Sequence, residues 1–141
     1  LEYADDLNVL TFADAGFVTP STAAFVNEEF LAENPEVIAG FVRATLRGLL
    51  DTLADPTAAA EALASQYANI DVEDTAAKWE LNKQFVVTDV TDEHGFGWHD
   101  LEAWDYLSTT LEEKGQIEKP VPAEEAFTNE FVEAIPIEER R

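Results

Sequence analysis

Acidic side chains run through nearly every segment of this chain, and that distribution restricts its folded form more than any other feature. Asp and Glu number 30 against 8 Lys and Arg, giving 141 residues a net charge of −22. The acids are not gathered in one tail. They share segments with regularly spaced apolar residues. A folded state of this kind works against strong self-repulsion. Salt relieves it, because the Debye length shrinks to about 3 Å near 1 M, and high acidic charge is a lever used in halophiles. The charge therefore reads as adaptation to a salty solvent, with a haloarchaeal source as the expectation. Disorder does not fit, since 46% of residues are hydrophobic and 11% aromatic.

The same charge narrows the partners. Nothing in the sequence neutralises a run of phosphates, so nucleic acid is excluded as an expected partner, and anionic membranes are unattractive for the same reason. No apolar run approaches the roughly 18 residues of a membrane span. The chain contains no Cys, which removes disulfides, thiolate catalysis and Cys-based metal sites. Its length suits one domain or one part of a larger one. It begins at Leu1 with neither Met nor a signal sequence. It thus looks processed or cut, with room for a lost targeting segment.

Two short segments read as extended, Leu7 to Phe12 and Ser21 to Val26, with a turn at Asp14-Ala15-Gly16 between them. Neither has a hairpin partner nearby, and isolated strands are weak. The expectation is that strands from elsewhere complete them, leaving exposed strand edges through which the chain would self-associate. From Asn27 the period becomes helical. Asn27 caps a short helix through Leu31. Asn34-Pro35-Glu36 then restarts it, with Asn as cap, Pro at the first helical position and Glu near the positive end. Ile38, Val42, Leu46, Leu49 and Leu53 follow at three- and four-residue steps, flanked by Phe41 and Leu50, as the core-facing stripe of a helix of about 19 residues. Gly40, Ala44 and Gly48 form a small-residue line on it, which implies close approach by another backbone.

Asp55-Pro56 repeats the cap-and-proline device before an Ala-rich helix ending near Tyr67. Asp71 opens the next, with Asp74 three residues on and with Ala77, Leu81, Phe85, Trp79 and Val86 on its buried side. The β-branched pair Val86-Val87 fits its end. Residues 88–100 read as a loop in which Gly95 and Gly97 stand among aromatics, acids and both histidines. Asp100 caps a helix with an inner line of Leu101, Trp104, Leu107 and Leu111, and Gly115 terminates it. Pro120 and Pro122 keep the exit extended. Two short helical turns then dock through Phe127, Phe131 and Ile135, and 138–141 is a frayed tail.

No catalytic motif is present: no nucleophile elbow, phosphate loop, zinc-protease pair or dinucleotide glycine pattern. No catalytic residue, metal or cofactor is expected. With 30 acids, close carboxylate pairs carry no information. His94 and His99 lie beside Asp92, Glu93 and Asp100, but their five-residue spacing does not share a helical face, so a metal pair competes with ordinary loop histidines. Phe96 and Trp98 suit either an aromatic ligand wall or core packing. Arg43 and Arg47, one turn apart, are expected to pair with surplus acids.

Two blocks carry a family resemblance. Ala23 to Ala60 holds Asn34-Pro35-Glu36, the pattern F-x-R-A-x-x-R-G from Phe41 to Gly48, and the D-P-x-x-A start at Asp55. Gly95 to Phe131 holds a helix with Trp and Leu, a Gly, Lys119-Pro120-Val121 and the closing run Phe127-Thr128-Asn129-Glu130-Phe131. Together they resemble the later part of the NMT1/THI5-like periplasmic binding proteins, over about residues 7–135. That resemblance implies a mostly helical segment of a two-lobed α/β periplasmic-binding-protein fold (type II) with one or two short strands, its N-terminal sheet portion missing. In those terms 1–20 is a hinge or crossing segment and 21–137 the returning part of lobe one.

The resemblance implies a solute-binding component of an ABC importer, with a thiamine pyrimidine precursor or related small organic solute as ligand. It would engage the permease in the full-length protein. It would be extracytoplasmic, with a lipid anchor in a missing N-terminal segment. The alternatives are a hydroxymethylpyrimidine-synthase-like enzyme of the same fold, which would be cytoplasmic, and a non-binding helical domain. The cysteine-rich motif of the synthases is absent, which favours binding. The implied ligand contacts are Asp14, Gly16 and Phe17 after the crossing segment and Gly95, Phe96 and Trp98 before the Trp/Leu helix; hinge geometry and packing compete for both groups.

Overall fold

Caps and prolines cut the chain into eight helices among the residues described by the computed structural model, which are 8, 10–17, 19–20 and 22–141. A 3-10 turn at Ala13–Ala15 comes first, closed by Gly16 at φ 80°. Helix α1 (Glu28–Glu33) starts where the Asn27 side chain accepts the N–H groups of Glu29 and Phe30, at 2.9 and 3.2 Å. Pro35 opens α2 (Pro35–Ala54). Asn34 holds the N-cap position of α2, as the sequence suggests, but its side chain makes no capping bond there. Its side-chain N–H donates to the Phe30 carbonyl at 3.1 Å, so it closes α1 instead.

Asp55 and Asp71 behave as read. Each carboxylate accepts an N–H three residues on, Ala58 at 3.0 Å and Asp74 at 2.9 Å, opening α3 (Pro56–Gln66) and α4 (Val72–Val86). Part of the expected loop is helical, forming α5 (Asp89–His94). Thr88 and Thr91 hold it with reciprocal bonds, side chain to backbone in both directions. Threonine in the place usually held by Glu or Gln hides this box from a pattern reading. Asp100 caps α6 (Leu101–Glu113) through the Ala103 N–H at 2.8 Å. At its end the Gly115 N–H reaches the Glu112 carbonyl and the Gln116 N–H reaches Leu111, each 2.8 Å, the two bonds of a Schellman cap. Two single-turn helices follow, α7 (Ala123–Ala126) and α8 (Glu130–Glu133). A 3-10 turn at Ile137–Glu139 ends the chain.

The described residues are helical and contain no β-strand, which corrects the expected one or two short strands and, with them, the two-lobed α/β architecture. Leu7, Val9 and Ser21 lie outside the described residues. Of the rest, Phe12 leads into the 3-10 turn, and 22–26 run without regular structure, with Phe25 99% exposed. A strand exists only through a partner that takes its N–H and C=O groups. β-Branched and aromatic composition supplies the preference but not the partner. With no strand among the described residues there is no strand edge among them, so self-association by that route is likewise withdrawn.

Contacts divide the chain into two units, Leu1–Ala24 with His99–Phe127, and Phe25–Trp98 with Thr128–Arg141. In the first, α6 and α7 pack together. Pro120 and Pro122 lack N–H groups, and the N–H groups of Val121 and Ala123 donate to Ser108 (2.6 Å) and Asp105 (3.2 Å) on α6. The second is built on α2, which packs against α1, α3, α4 and α8. Its core is Leu46, Phe96 and Ile135, surrounded by Val42, Leu49, Leu50, Leu53 and Val86. The α2 stripe is therefore as read, except for Phe41, which is 56% exposed.

Two readings within this unit are corrected. On α4 the half-buried residues are Val72, Thr75, Ala76, Trp79, Lys83 and Val86, so Trp79 and Val86 are as read, while Ala77, Leu81 and Phe85 face out. The helix carries two apolar lines, and docking on α3 and α2 selected the one that holds Trp79 and Val86. The Gly40–Gly48 line meets no backbone either. A Cβ built at Gly40 or Gly48 finds nothing within 4 Å.

Candidate functional site

The loop from Gly95 to Trp98 is fixed from both sides in the second unit. Gly95 and Gly97 take φ values of 78° and 85°, a region that side chains disfavour. At Gly97 a Cβ would stand 2.9 Å from Leu46 Cδ2, so glycine also allows the loop to lie on α2. This brings the Phe96 ring into the core, 8% exposed. The Phe96 N–H donates to the Arg140 carbonyl at 2.7 Å. The Trp98 indole stacks on the His94 imidazole, centroids 4.6 Å apart and planes 15° from parallel.

The C-terminal residues hold this loop in place. Read from sequence as a frayed tail, they have specific partners. Arg140 is 5% exposed and donates Nε to the Ile135 carbonyl (3.0 Å) and Nη1 to the His94 carbonyl (2.6 Å). Arg141 Nη2 donates to the carbonyls of Asp92 and Glu93, at 2.7 and 2.9 Å. Two cations thus gather the last carbonyls of α5, where the helix leaves acceptors unsatisfied and partially negative.

Beside this clamp lies an open groove of about 530 Å³. Leu50, Leu53, Val87 and Phe96 line its apolar part, and Thr91, Asp92 and Arg141 its polar part. Of the residues expected to touch ligand, only Phe96 lines it. Gly95 is closed off by Arg140, whose side-chain atoms would lie 3.1 Å from a Cβ there. Arg141 is absent from the sequence-based site. The signal that points to it is a pair of adjacent arginines in a chain with 30 acids.

Asp14, Gly16 and Phe17 come together in the first unit. The Asp14 carboxylate accepts the Thr11 N–H at 2.9 Å and its hydroxyl at 2.8 Å, and these bonds hold its pKa below the ordinary carboxylate value. Asp14 thus ties a local turn. Phe17 stands edge-on to Phe12 and to Tyr106, with centroids 6.1 and 5.9 Å away. Nearby, His99, Trp104 and Phe127 form an aromatic trio, and Trp104 Nε1 donates to His99 Nδ1 at 3.2 Å. Burial holds the His99 pKa below its ordinary value. No group of three or more His, Asp or Glu side chains placed to hold a metal occurs among the described residues, and none of their helices is long and apolar enough to cross a membrane.

Comparison with known proteins supports the family link. Residues 2–59 match the NMT1/THI5-like family. Over 130 residues, 90% of its length, the chain is 33% identical to the riboflavin-binding protein RibY of Chloroflexus aurantiacus. It spans 37% of that relative. No solved structure matches it. The chain is therefore linked to the solute-binding proteins of this general type.

Proposed function

We propose that this chain is part of the extracytoplasmic solute-binding component of an ABC importer, working in a salty solvent on a planar heteroaromatic solute. The observation that carries the reading is the identity to a riboflavin-binding protein across nine-tenths of the chain. Riboflavin and a thiamine pyrimidine precursor both present a flat, nitrogen-rich ring, and such a ring suits aromatic contact with a few polar partners. The relative's name favours the larger, flavin ring. Phe17 in the first unit and Trp98 in the second supply half-exposed aromatic surface, and each unit contributes to binding on its own terms. Phe96 and Gly95 act through packing.

The test is a titration of riboflavin into the full chain in molar salt, read by quenching of flavin fluorescence and by calorimetry. A parallel arm uses the hydroxymethylpyrimidine precursor of thiamine. Saturable quenching, weakened by Trp98→Ala or Phe17→Ala, is the expected result. Binding of the pyrimidine alone moves the ligand to the thiamine branch. No binding of either overturns the reading.

A further inference from the structure

All four arginines of the chain lie in the second unit, Arg43 and Arg47 on α2 and Arg140 and Arg141 at the C-terminus. In a chain with 30 carboxylates each should find an acid. Among the described residues only Arg43 does, at 3.1 Å from Glu139. Arg140 and Arg141 bond to backbone carbonyls alone. Arg47 is exposed and has no carboxylate within ion-pair distance among the described residues. A guanidinium carries five donors in a rigid fork, and the bonds of Arg141 all run through Nη2, leaving Nε and Nη1 without an acceptor among the described residues.

Arg43, Arg47 and Arg141 border two hollows that share a lining residue. The groove of about 530 Å³ has Arg141 on its polar part, and a second hollow of about 360 Å³ is lined by Arg43, Arg47, Asp51 and Glu139. Leu50 lines both. An apolar floor thus lies between two forks suited to oxyanions. The net charge of −22 repels anions at long range. Salt removes that term beyond roughly 8–10 Å, while a bidentate contact acts at hydrogen-bond distance.

We propose that this double groove binds a small organic oxyanion, a carboxylate or phosphate monoester on an apolar body, with the body over Leu50, Leu53 and Phe96 and the anionic group held by Arg141 or Arg47. This site goes beyond the importer reading, because riboflavin is uncharged and needs neither arginine. The experiment is calorimetric titration of the full chain with naphthyl phosphate, naphthoate, the neutral naphthyl methanol and inorganic phosphate. The expected result is binding of one or both naphthyl anions, at least about tenfold tighter than the neutral analogue, the effect of a charged hydrogen bond. The two anionic arms separate phosphate from carboxylate preference.

Arg47→Gln changes an exposed side chain with no bonds to lose among the described residues, whereas Arg141→Gln also removes the bonds to the Asp92 and Glu93 carbonyls, so far-UV circular dichroism and thermal unfolding of both variants check that the fold is kept. At least one of them weakens anion binding about tenfold, and the matching Lys variant restores part of it. Equal affinity for neutral and anionic probes, no binding of any probe, or binding indifferent to both Gln variants overturns the proposal. Riboflavin binding without naphthyl anion binding removes this site and leaves the importer reading standing. Naphthyl anion binding with neither riboflavin nor the pyrimidine precursor bound leaves this site standing and removes the importer reading.

Discussion

His99 shows how one side chain turns burial into pH dependence. It sits among Trp104 and Phe127 and accepts the Trp104 indole N–H at Nδ1, which places its own proton on Nε2. Burial lowers its pKa from the ordinary 6.5, so the folded state prefers the neutral ring. The unfolded chain takes up the proton first as pH falls. Stability from this residue is therefore complete above about pH 6.5 and is lost as pH drops through the lowered value. Unfolding midpoints measured across this range should fall on the acid side, and His99→Gln, which keeps an acceptor, should flatten that part of the curve. Asp14 adds to the acid-side loss lower down, because its two bonds from Thr11 also favour the charged form. The Asp14 turn was legible in the sequence. The environment of His99 was not, since its burial depends on residues up to Phe127.

At the scale of elements, glycine separates local from tertiary demands. Gly40 and Gly48 sit inside α2 with open space where a Cβ would be. Alanine there should raise stability by about 0.5–1 kcal/mol per site, the intrinsic helix difference. Gly97→Ala meets both a φ of 85° and Leu46 at 2.9 Å, and should lower stability by about 1–3 kcal/mol. Denaturant unfolding of the three variants tests this ordering, and a loss at Gly40 or Gly48 would mean that something covers that face. The sequence marked all three glycines but assigned the close approach to the wrong ones. A small-residue line permits contact without requiring it. Gly97 is forced by α2 beneath it, a neighbour some fifty positions earlier in the sequence.

Across the whole molecule, charge outweighs apolar burial as the variable to change. The main apolar cluster of the second unit has three buried side chains with five partly buried ones packed against it, so repulsion among the carboxylates is a large fraction of a small net stability. Thermal midpoints should rise steadily from low salt toward molar salt, with a smaller response in variants that replace exposed Glu by Gln. A midpoint that falls or stays level with salt would remove the salt-adaptation reading. Sulfate should act more strongly than chloride at equal ionic strength, since it also favours apolar burial.

The sequence alone determined the helix starts at Asn27, Asp55, Asp71 and Asp100, the Schellman end at Gly115, and the core stripe of α2. Each rests on bonds or periodicity within a few residues, and such interactions form wherever the chain lies. It also determined the net charge of −22. Tertiary structure alone decided which apolar line of α4 is buried, that Phe96 packs inside, and that no strand forms among the described residues. It also folded the last two arginines onto the carbonyls of α5. Each of these depends on a partner remote in sequence, and a local pattern records that a group is able to pair without recording what it meets.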